Sequence, residues 1–267
     1  MSKKIGFIGV GNMGGTLAKV AKAHIACEDI FVSSRTLEKA QAFAKENGLV
    51  PVENKELAEK AQIIFLGVKP QKMAGLFREI APVLALRKDR FVLVSMAAGL
   101  GCERIAEMAG GNYPVLRIMP NTPALYGEGC IPYCSNTLIT EEDCRELEAI
   151  LKSAGWVFPL SEDLIDAAGA VSGCGPAFVY IFIEALADAG LACGLPRATA
   201  IRLAAQTLAG AAQTVLQSGE HPAILKDAVC SPGGSTIAGV HALEEYGFRC
   251  AAEKAVYAAC KRSKELG

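Results

Sequence analysis

A glycine-rich turn near the start of the chain constrains the fold more than any other feature. The run Lys4–Ile8 is typical of a short buried strand, and a helical pattern follows from Thr16 onward. In such a unit the first glycine permits a tight turn, the second lets the backbone approach a pyrophosphate, and the third lets the helix pack closely on the strand. We therefore predict a βαβ unit that binds a nicotinamide dinucleotide through Gly9, Gly11, Asn12, Met13 and Gly14. The alternative is a glycine-rich turn without a ligand.

The end of the second strand bears on which dinucleotide binds. Sites for NAD usually carry Asp or Glu about 20 residues after the glycines, where the carboxylate binds the adenosine ribose. Here Ser34, Arg35 and Thr36 follow the strand, so no carboxylate is present to repel a 2′-phosphate. An arginine flanked by hydroxyl groups suits a phosphate. We predict that NADP(H) is preferred and that NAD(H) is also accepted, although Ser34 or Thr36 would serve equally as a cap of the next helix.

Strand-like and helical patterns alternate over residues 1–160. The predicted strands are Lys4–Ile8, Ile30–Ser33, Ile63–Leu66, Phe91–Val94, Val115–Ile118 and Trp156–Pro159. Such alternation predicts an α/β fold, with a doubly wound, Rossmann-type parallel sheet and helices on both faces.

After Pro159 the strand signals stop. The predicted helices are Pro176–Leu191, Pro196–Gln217, Pro222–Val229, Ser235–Tyr246 and Arg249–Lys264. We therefore predict two domains: a dinucleotide-binding domain over residues 1–160 and an all-helical domain over residues 161–267.

The first of these helices is apolar almost all the way round. A helix without a polar face must be covered on all sides. The helical domain has little material for this, so we predict that a second subunit covers the helix and that the domain dimerises. The alternative is a central helix enclosed by its own neighbours.

Composition excludes some partners and predicts a location. The net charge of −1 gives no electrostatic basis for binding nucleic acid or an anionic membrane. The longest apolar run, Ala177–Ile183, is too short to span a bilayer. No basic and apolar leader precedes the first strand, so we expect a cytoplasmic protein.

The ten cysteines do not show the spacing of a metal site. No C-x-x-C pair occurs, and none of the three histidines stands at ligand spacing from a cysteine pair. We predict reduced, mostly buried packing residues and no metal.

Two further loops follow predicted strands, at the sheet edge where doubly wound folds bind ligands. The first contains Val68, Lys69 and Pro70, and the second contains Ala97 and Ala98. Small residues there let the backbone approach the nicotinamide half of the cofactor. Lys69 could equally be an ordinary solvated lysine.

The best candidate for binding a hydride acceptor is the loop 228–237. Gly233 and Gly234 precede Ser235 and Thr236 at a predicted helix start, an arrangement whose free N–H groups capture a small carboxylate. Thr236 adds a hydroxyl near the reacting atom. The alternative is a helix cap without ligand, and the loop 172–176 is a weaker candidate of the same kind.

The chain lacks the groups that carbonyl reduction usually needs. No lysine lies between Lys152 and Lys226, and the only histidine there is His221. Ketone reduction and alcohol oxidation normally use a positioned acid or base. An imine nitrogen is itself basic enough to carry or take the proton, so imine reduction fits better.

Several motifs together resemble the Δ1-pyrroline-5-carboxylate reductase family over essentially the whole chain. They are IGFIGVGNMG, GVKPQ, MPNTPA, SGCGPAFVY and LKDAVCSPGGSTIAGVHALEEYGFR. The resemblance implies hydride transfer from NAD(P)H to the C=N carbon of a cyclic imine, L-1-pyrroline-5-carboxylate, which gives L-proline. It also implies a helical domain that interlocks with a partner subunit, and assembly up to a decamer.

The resemblance also implies roles for individual residues. Asn54 matches a cofactor contact, and Thr236, as the catalytic residue, would hydrogen-bond the ring nitrogen and relay its proton. The implied substrate-binding residues are Glu162, Val229, Gly233, Gly234, Ser235 and Thr236. Glu162 could equally be a carboxylate at a helix start. Ser235 and Ala228 depart from the family pattern of alanine and asparagine, which weakens only those individual contacts.

Two other functions remain open at this point. A β-hydroxyacid dehydrogenase begins with a similar glycine turn, but it carries a catalytic lysine on the long interdomain helix, where this chain has none. A dinucleotide-sensing module without turnover is the third reading.

Overall fold

The computed structural model describes residues 3–265 and contains one eight-stranded sheet. The strands are β1 (Ile5–Ile8), β2 (Ile30–Ser33), β3 (Val50–Pro51), β4 (Ile63–Leu66), β5 (Val92–Ser95), β6 (Val115–Ile118), β7 (Gly129–Ser135) and β8 (Gly155–Pro159). Their order across the sheet is β3-β2-β1-β4-β5-β6-β7-β8. The chain therefore begins in the middle of the sheet and winds outward in both directions, which confirms the doubly wound prediction.

The prediction of a wholly parallel sheet is wrong for its last two strands. The neighbouring pairs among β1–β6 are parallel, whereas β7 is antiparallel to β6 and parallel to β8. A parallel pair needs a long crossover connection. The β6–β7 connection is the short segment 119–128, which holds one 3₁₀ turn (Thr122–Tyr126), so the chain reverses there.

Both faces of the sheet are covered, so its inner strands are buried at every position and mostly apolar. On one face Phe7 and Phe65 stack at 4.5 Å between ring centroids, in neighbouring strands. On the other face Leu66 packs in a cluster with Met73 and Phe77, which lie on a helix that follows β4. All five strands with continuous burial, β1, β2, β4, β5 and β6, were predicted from the sequence.

Helices connect and follow the strands. They are α1 (Asn12–Ala21), α2 (Leu37–Asn47), α3 (Asn54–Lys60), α4 (Pro70–Leu86), α5 (Cys102–Ala109), α6 (Glu141–Leu151), α7 (Glu162–Ala168), α8 (Gly175–Ala192), α9 (Arg197–Ser218), α10 (Pro222–Ala228), α11 (Ser235–Glu245) and α12 (Phe248–Lys264). A π-helical turn, Gly169–Gly173, separates α7 from α8. Within the described residues no strand follows β8, which confirms the helical prediction for that part.

The described chain forms two compact units. The first holds the residues up to Cys174 together with those from Ala259 onward, and the second is Gly175–Ala258. The predicted domain boundary at residue 160 stays a prediction.

The end of α12 belongs to the first unit through a buried polar cluster. Arg117 on β6 forms an ion pair of 2.6 Å with Asp166 on α7. The Ser263 hydroxyl donates to the same carboxylate at 3.1 Å. Residues far apart in sequence therefore complete one unit.

The second unit buries very little of its apolar surface. Ala187 is the one buried residue of α8, and Tyr180 and Ile181 are 58% and 67% exposed. The helix is thus not enclosed by its own neighbours, and that alternative is wrong. Length and composition alone would also allow the helical run Glu162–Ala192 to cross a membrane, which is weak evidence because an apolar core helix meets the same test.

Candidate functional site

The glycine turn between β1 and α1 has the geometry that its sequence predicts. Gly9 has φ +97°, and a Cβ there would lie 2.6 Å from the carbonyl oxygen of Gly67. A Cβ on Gly14 would overlap the carbonyl oxygen of Gly9. Both positions therefore require glycine, one for the turn and the other for the close approach of α1 to the strand.

Gly11 differs from Gly9 and Gly14 because the fold itself does not require a glycine at this position. It precedes α1 with φ −77°, and a Cβ there would meet no atom of the described residues within 4 Å. The space beside Gly11 is therefore open, as backbone contact with a phosphate requires. The first turn of α1, which includes Asn12 and Met13, carries no acidic residue, so its N-terminal dipole end is not neutralised.

A cavity of about 570 Å³ opens beside this turn. Its lining comes from the ends of β1, β2 and β4 and from one face of α4. The lining residues are Ile8, Gly9, Ser34, Arg35, Leu37, Val52, Glu53, Asn54, Val68, Lys72, Gly75, Leu76 and Glu79. The structure thus brings the predicted residues Gly9, Ser34, Arg35, Asn54 and Val68 into one cavity.

Charged side chains of both signs line the cavity. Arg35 and Lys72 are exposed cations, whereas Glu53 and Glu79 are carboxylates. Glu79 accepts a hydrogen bond of 3.0 Å from the Asn54 amide, so one acid is already engaged. The cations are therefore available for an anionic group near Ser34.

Lys72 and Glu79 were not predicted from the sequence. Lys72 lies four residues after Val68 and Glu79 seven residues after Lys72, so they share one face of α4 with Gly75 and Leu76. This helical spacing, counted from the loop after β4, is the signal that would have found them.

Two buried polar atoms at this edge have no partner among the described residues. They are the Ser33 hydroxyl oxygen, at the end of β2, and the Asn54 side-chain oxygen. Buried polar groups are normally hydrogen-bonded. Asn54 lines the cavity, so its unpartnered oxygen, the open space beside Gly11 and the two cations fit a polar, phosphate-bearing ligand such as a dinucleotide.

The remaining predicted cofactor residues are not among those that line this cavity. Thr36 is at the N-cap position of α2 but makes no side-chain cap hydrogen bond. Lys69 and Pro70 start α4, as N-cap and first residue. In the loop after β5, Ala97 is buried and Ala98 is half-buried.

Glu162 contacts a helix start. Its carboxylate oxygen accepts a hydrogen bond of 2.7 Å from the backbone N–H of Cys102, the first residue of α5. This is the helix-start geometry left open from the sequence, although it is the start of α5 that is bound and not that of α7. The contact places Glu162 beside the loop that carries Ala97 and Ala98.

The predicted substrate loop lies in the second unit, between α10 and α11. Gly233 has φ +68°, and Gly234 is the N-cap of α11 without a side-chain cap hydrogen bond. Ser235 and Thr236 open the helix, and both are exposed. Val229 is 64% exposed. The N–H groups of a helix start are thus presented beside Thr236, as predicted.

The fold also assembles a cluster that spacing in the sequence did not indicate. The sulfur atoms of Cys102 and Cys134 are 3.9 Å apart although 32 residues separate them. The hydrogen bond between them and burial raise the pKa of Cys102 well above its usual range. Cys134 lies in β7, which was not among the predicted strands, so this contact could not be anticipated.

The βαβ glycine turn, its cavity and the helical second unit define a nicotinamide-dinucleotide-binding oxidoreductase fold. Residues 4–99 match the family model described as NADP oxidoreductase, coenzyme F420-dependent, and residues 162–266 match that for pyrroline-5-carboxylate reductase dimerisation. Curated relatives that align with 99% or more of this chain are named pyrroline-5-carboxylate reductase. The chain belongs to the pyrroline-5-carboxylate reductase family.

Three relatives illustrate the similarity. The pyrroline-5-carboxylate reductase of Escherichia coli K12 is 41% identical over 269 residues, covering 100% of this chain and 99% of that protein. That of Pisum sativum is 40% identical and covers 99% and 96%. A solved Plasmodium falciparum pyrroline carboxylate reductase with NADP bound superposes with a TM-score of 0.90 at 36% identity, covering 99% of this chain and 98% of that chain.

Proposed function

We propose that this protein reduces L-1-pyrroline-5-carboxylate to L-proline with NAD(P)H, the final step of proline biosynthesis. The observation that carries the proposal is similarity to proteins of that name at about 40% identity along the whole chain. The similarity includes both the dinucleotide unit and the helical region that bears the SPGGST loop.

The cofactor contacts follow from the cavity. The backbone of Gly9–Gly14 and the start of α1 hold the pyrophosphate, and Ser34, Arg35 and Thr36 hold a 2′-phosphate, so NADP(H) is preferred over NAD(H). Asn54 offers its unpartnered side-chain oxygen. Val68, Lys69, Pro70, Ala97 and Ala98 lie along the nicotinamide half. The bound dinucleotide supplies the hydride that the protein itself lacks.

The substrate contacts come from the loop before α11. Backbone N–H groups of Gly233, Gly234, Ser235 and Thr236 bind the substrate carboxylate at a helix start. The Thr236 hydroxyl hydrogen-bonds the ring nitrogen and relays the proton that nitrogen needs when the neighbouring carbon accepts the hydride. Val229 and Glu162 are the further substrate contacts that the family resemblance implies, whether the helical part comes from the same chain or from the partner subunit.

The assembly follows from the uncovered helices. A homodimer formed through the second unit would bury the exposed apolar side chains of α8. Further association of dimers, up to a decamer, is what the family resemblance implies. The composition supports a cytoplasmic protein without nucleic acid or membrane as partner.

The proposal is tested by following NADPH oxidation with pyrroline-5-carboxylate as the acceptor. We expect turnover with the imine and none when 3-hydroxyacids are supplied with NADP. Turnover of 3-hydroxyacids alone would instead assign the chain to the β-hydroxyacid dehydrogenases. Tight NADPH binding by folded protein without turnover of either substrate would favour a dinucleotide-sensing module.

A further inference from the structure

Cys102, Cys134 and Glu162 form a compact cluster whose two thiols have no role in the proposed reduction. One potential ligand atom from each residue lies within 4.8 Å of the other two. The thiols are buried, with Cys102 1% and Cys134 5% exposed, whereas Glu162 is exposed at the edge of the cluster. The two sulfur atoms are therefore shielded from solvent, whereas solutes can reach the cluster from the side of Glu162.

The distance between the two sulfur atoms matches that between two thiolate ligands of one zinc ion. Zinc binds thiolates at about 2.3 Å, so two thiolates at a tetrahedral centre lie about 3.8 Å apart. The observed separation is 3.9 Å. Both sulfurs could thus contact one cation with little movement of the backbone.

The third residue completes a ligand set of suitable chemistry. Two thiolates select a soft or borderline cation, and a carboxylate oxygen is an accepted zinc ligand. An ionised carboxylate has about four lone-pair sites, so Glu162 can bind a cation and still accept the N–H of Cys102. Three protein ligands leave one tetrahedral position for water.

We propose that Cys102, Cys134 and Glu162 form a binding site for one thiophilic divalent cation of the zinc class. Binding forms two metal–sulfur bonds and one metal–oxygen bond, and the two thiol protons are released to water. The site departs from the prediction that the cysteines are packing residues alone.

The site lies at the start of α5, at the far end of the loop that carries Ala97 and Ala98. A cation there would bind the same carboxylate that accepts the hydrogen bond from the Cys102 N–H.

Titration of the reduced, full-length protein with Cd²⁺ tests the proposal. The thiolate-to-cadmium absorption band in the ultraviolet reports cysteine ligation directly, and a competing chelator sets the affinity. We expect one tightly bound Cd²⁺ per chain. Cys134→Ala should raise the dissociation constant by at least about tenfold, whereas Cys174→Ala, which removes an exposed cysteine, should leave it unchanged.

Glu162→Gln keeps a neutral acceptor for the Cys102 N–H while removing the charged ligand. We expect it to retain the absorption band and to bind Cd²⁺ at least about tenfold more weakly. The proposal is overturned by absence of the band in folded wild-type protein, or by equal affinities of wild type, Cys134→Ala and Glu162→Gln. Because absorbance is read without turnover, failure here is distinguishable from failure of the proposed reductase activity.

Discussion

The Arg117 guanidinium and the Asp166 carboxylate form an ion pair of 2.6 Å between β6 and α7, in which the Arg117 side chain is only 3% exposed. Removing one partner of a buried pair leaves the other charge uncompensated. We expect Asp166→Asn to lower the free energy of unfolding by about 3–5 kcal/mol, measured by urea denaturation at a fixed protein concentration.

The matched control is the surface pair of Arg104 and Glu107, whose side chains are 63% and 64% exposed. Solvent screens such a pair, so Glu107→Gln should change stability little. Equal losses in the two variants would mean that burial of the Arg117 charge is unimportant.

Two glycines of the phosphate turn should respond differently to alanine. Gly11→Ala places a methyl group in open space, so the protein should fold normally but bind NADPH at least about tenfold more weakly, because the methyl group stands where a phosphate approaches. Gly14→Ala meets the carbonyl of Gly9 and should lower the melting temperature as well. Fluorescence titration and thermal melting separate the effects; unchanged affinity in Gly11→Ala would contradict the assignment.

Charge next to Ser34 should control cofactor choice. A charge-assisted hydrogen bond contributes about 1.5–3 kcal/mol, so Arg35→Gln should raise the KM for NADPH about tenfold or more and leave that for NADH nearly unchanged. Lys72→Met tests whether the second cation of the cavity acts in the same way. If both cofactors lose affinity equally, the 2′-phosphate does not lie near Arg35.

The Thr236 hydroxyl should matter for turnover and not for cofactor binding. Thr236→Ala should lower kcat about 100-fold or more if the hydroxyl relays the proton, with NADPH affinity unchanged. Ser235→Ala, one residue earlier in the same helix start, serves as the control and should keep most activity. Loss of NADPH binding by Thr236→Ala would show that its role is misplaced.

Thr140 and Asp143 form a capping box at the start of α6, which should make stability depend on pH. Burial alone would raise the pKa of Asp143, but hydrogen bonds from Arg90 and Thr140 outweigh it and hold the pKa below the ordinary value of 3.8. A lowered folded-state pKa contributes stability above the unfolded-state pKa and loses it as the pH falls through the folded-state value. The stability advantage of wild type over Asp143→Asn, measured by urea unfolding, should therefore shrink between pH 5 and pH 2, within the acid range expected for a lowered Asp pKa. A constant difference would contradict this.

The parts of the fold that the sequence predicted are those set by local pattern. Strands β2, β4 and β6 and the start of α11 lie at the predicted residues, because continuous apolar runs and the glycines before Ser235 act over a few positions. Strand β7 was not predicted: it contains Pro132, and proline is unusual in an inner strand because it cannot donate to the ladder. Because β7 was not predicted, the reversal of the chain after β6 was not predicted either.

The candidate site divides in the same way. The glycine turn and the residues after β2 are short contiguous segments whose residue types indicate their role, so they could be predicted from the sequence. Lys72 lines the cavity because it lies on α4, the helix that follows β4. Cys134 contacts Cys102 because the fold brings β7 next to the start of α5. Neither relationship is visible without the order of the strands in the sheet.

The contact between Ser263 and Asp166 has a consequence for how the protein is made. These residues are 97 positions apart. At synthesis rates of about 5–20 residues per second, Ser263 is added roughly 5–20 s after Asp166. The pair of Arg117 and Asp166 can form in that interval, but the cluster gains its third member only after the last helix has been synthesised.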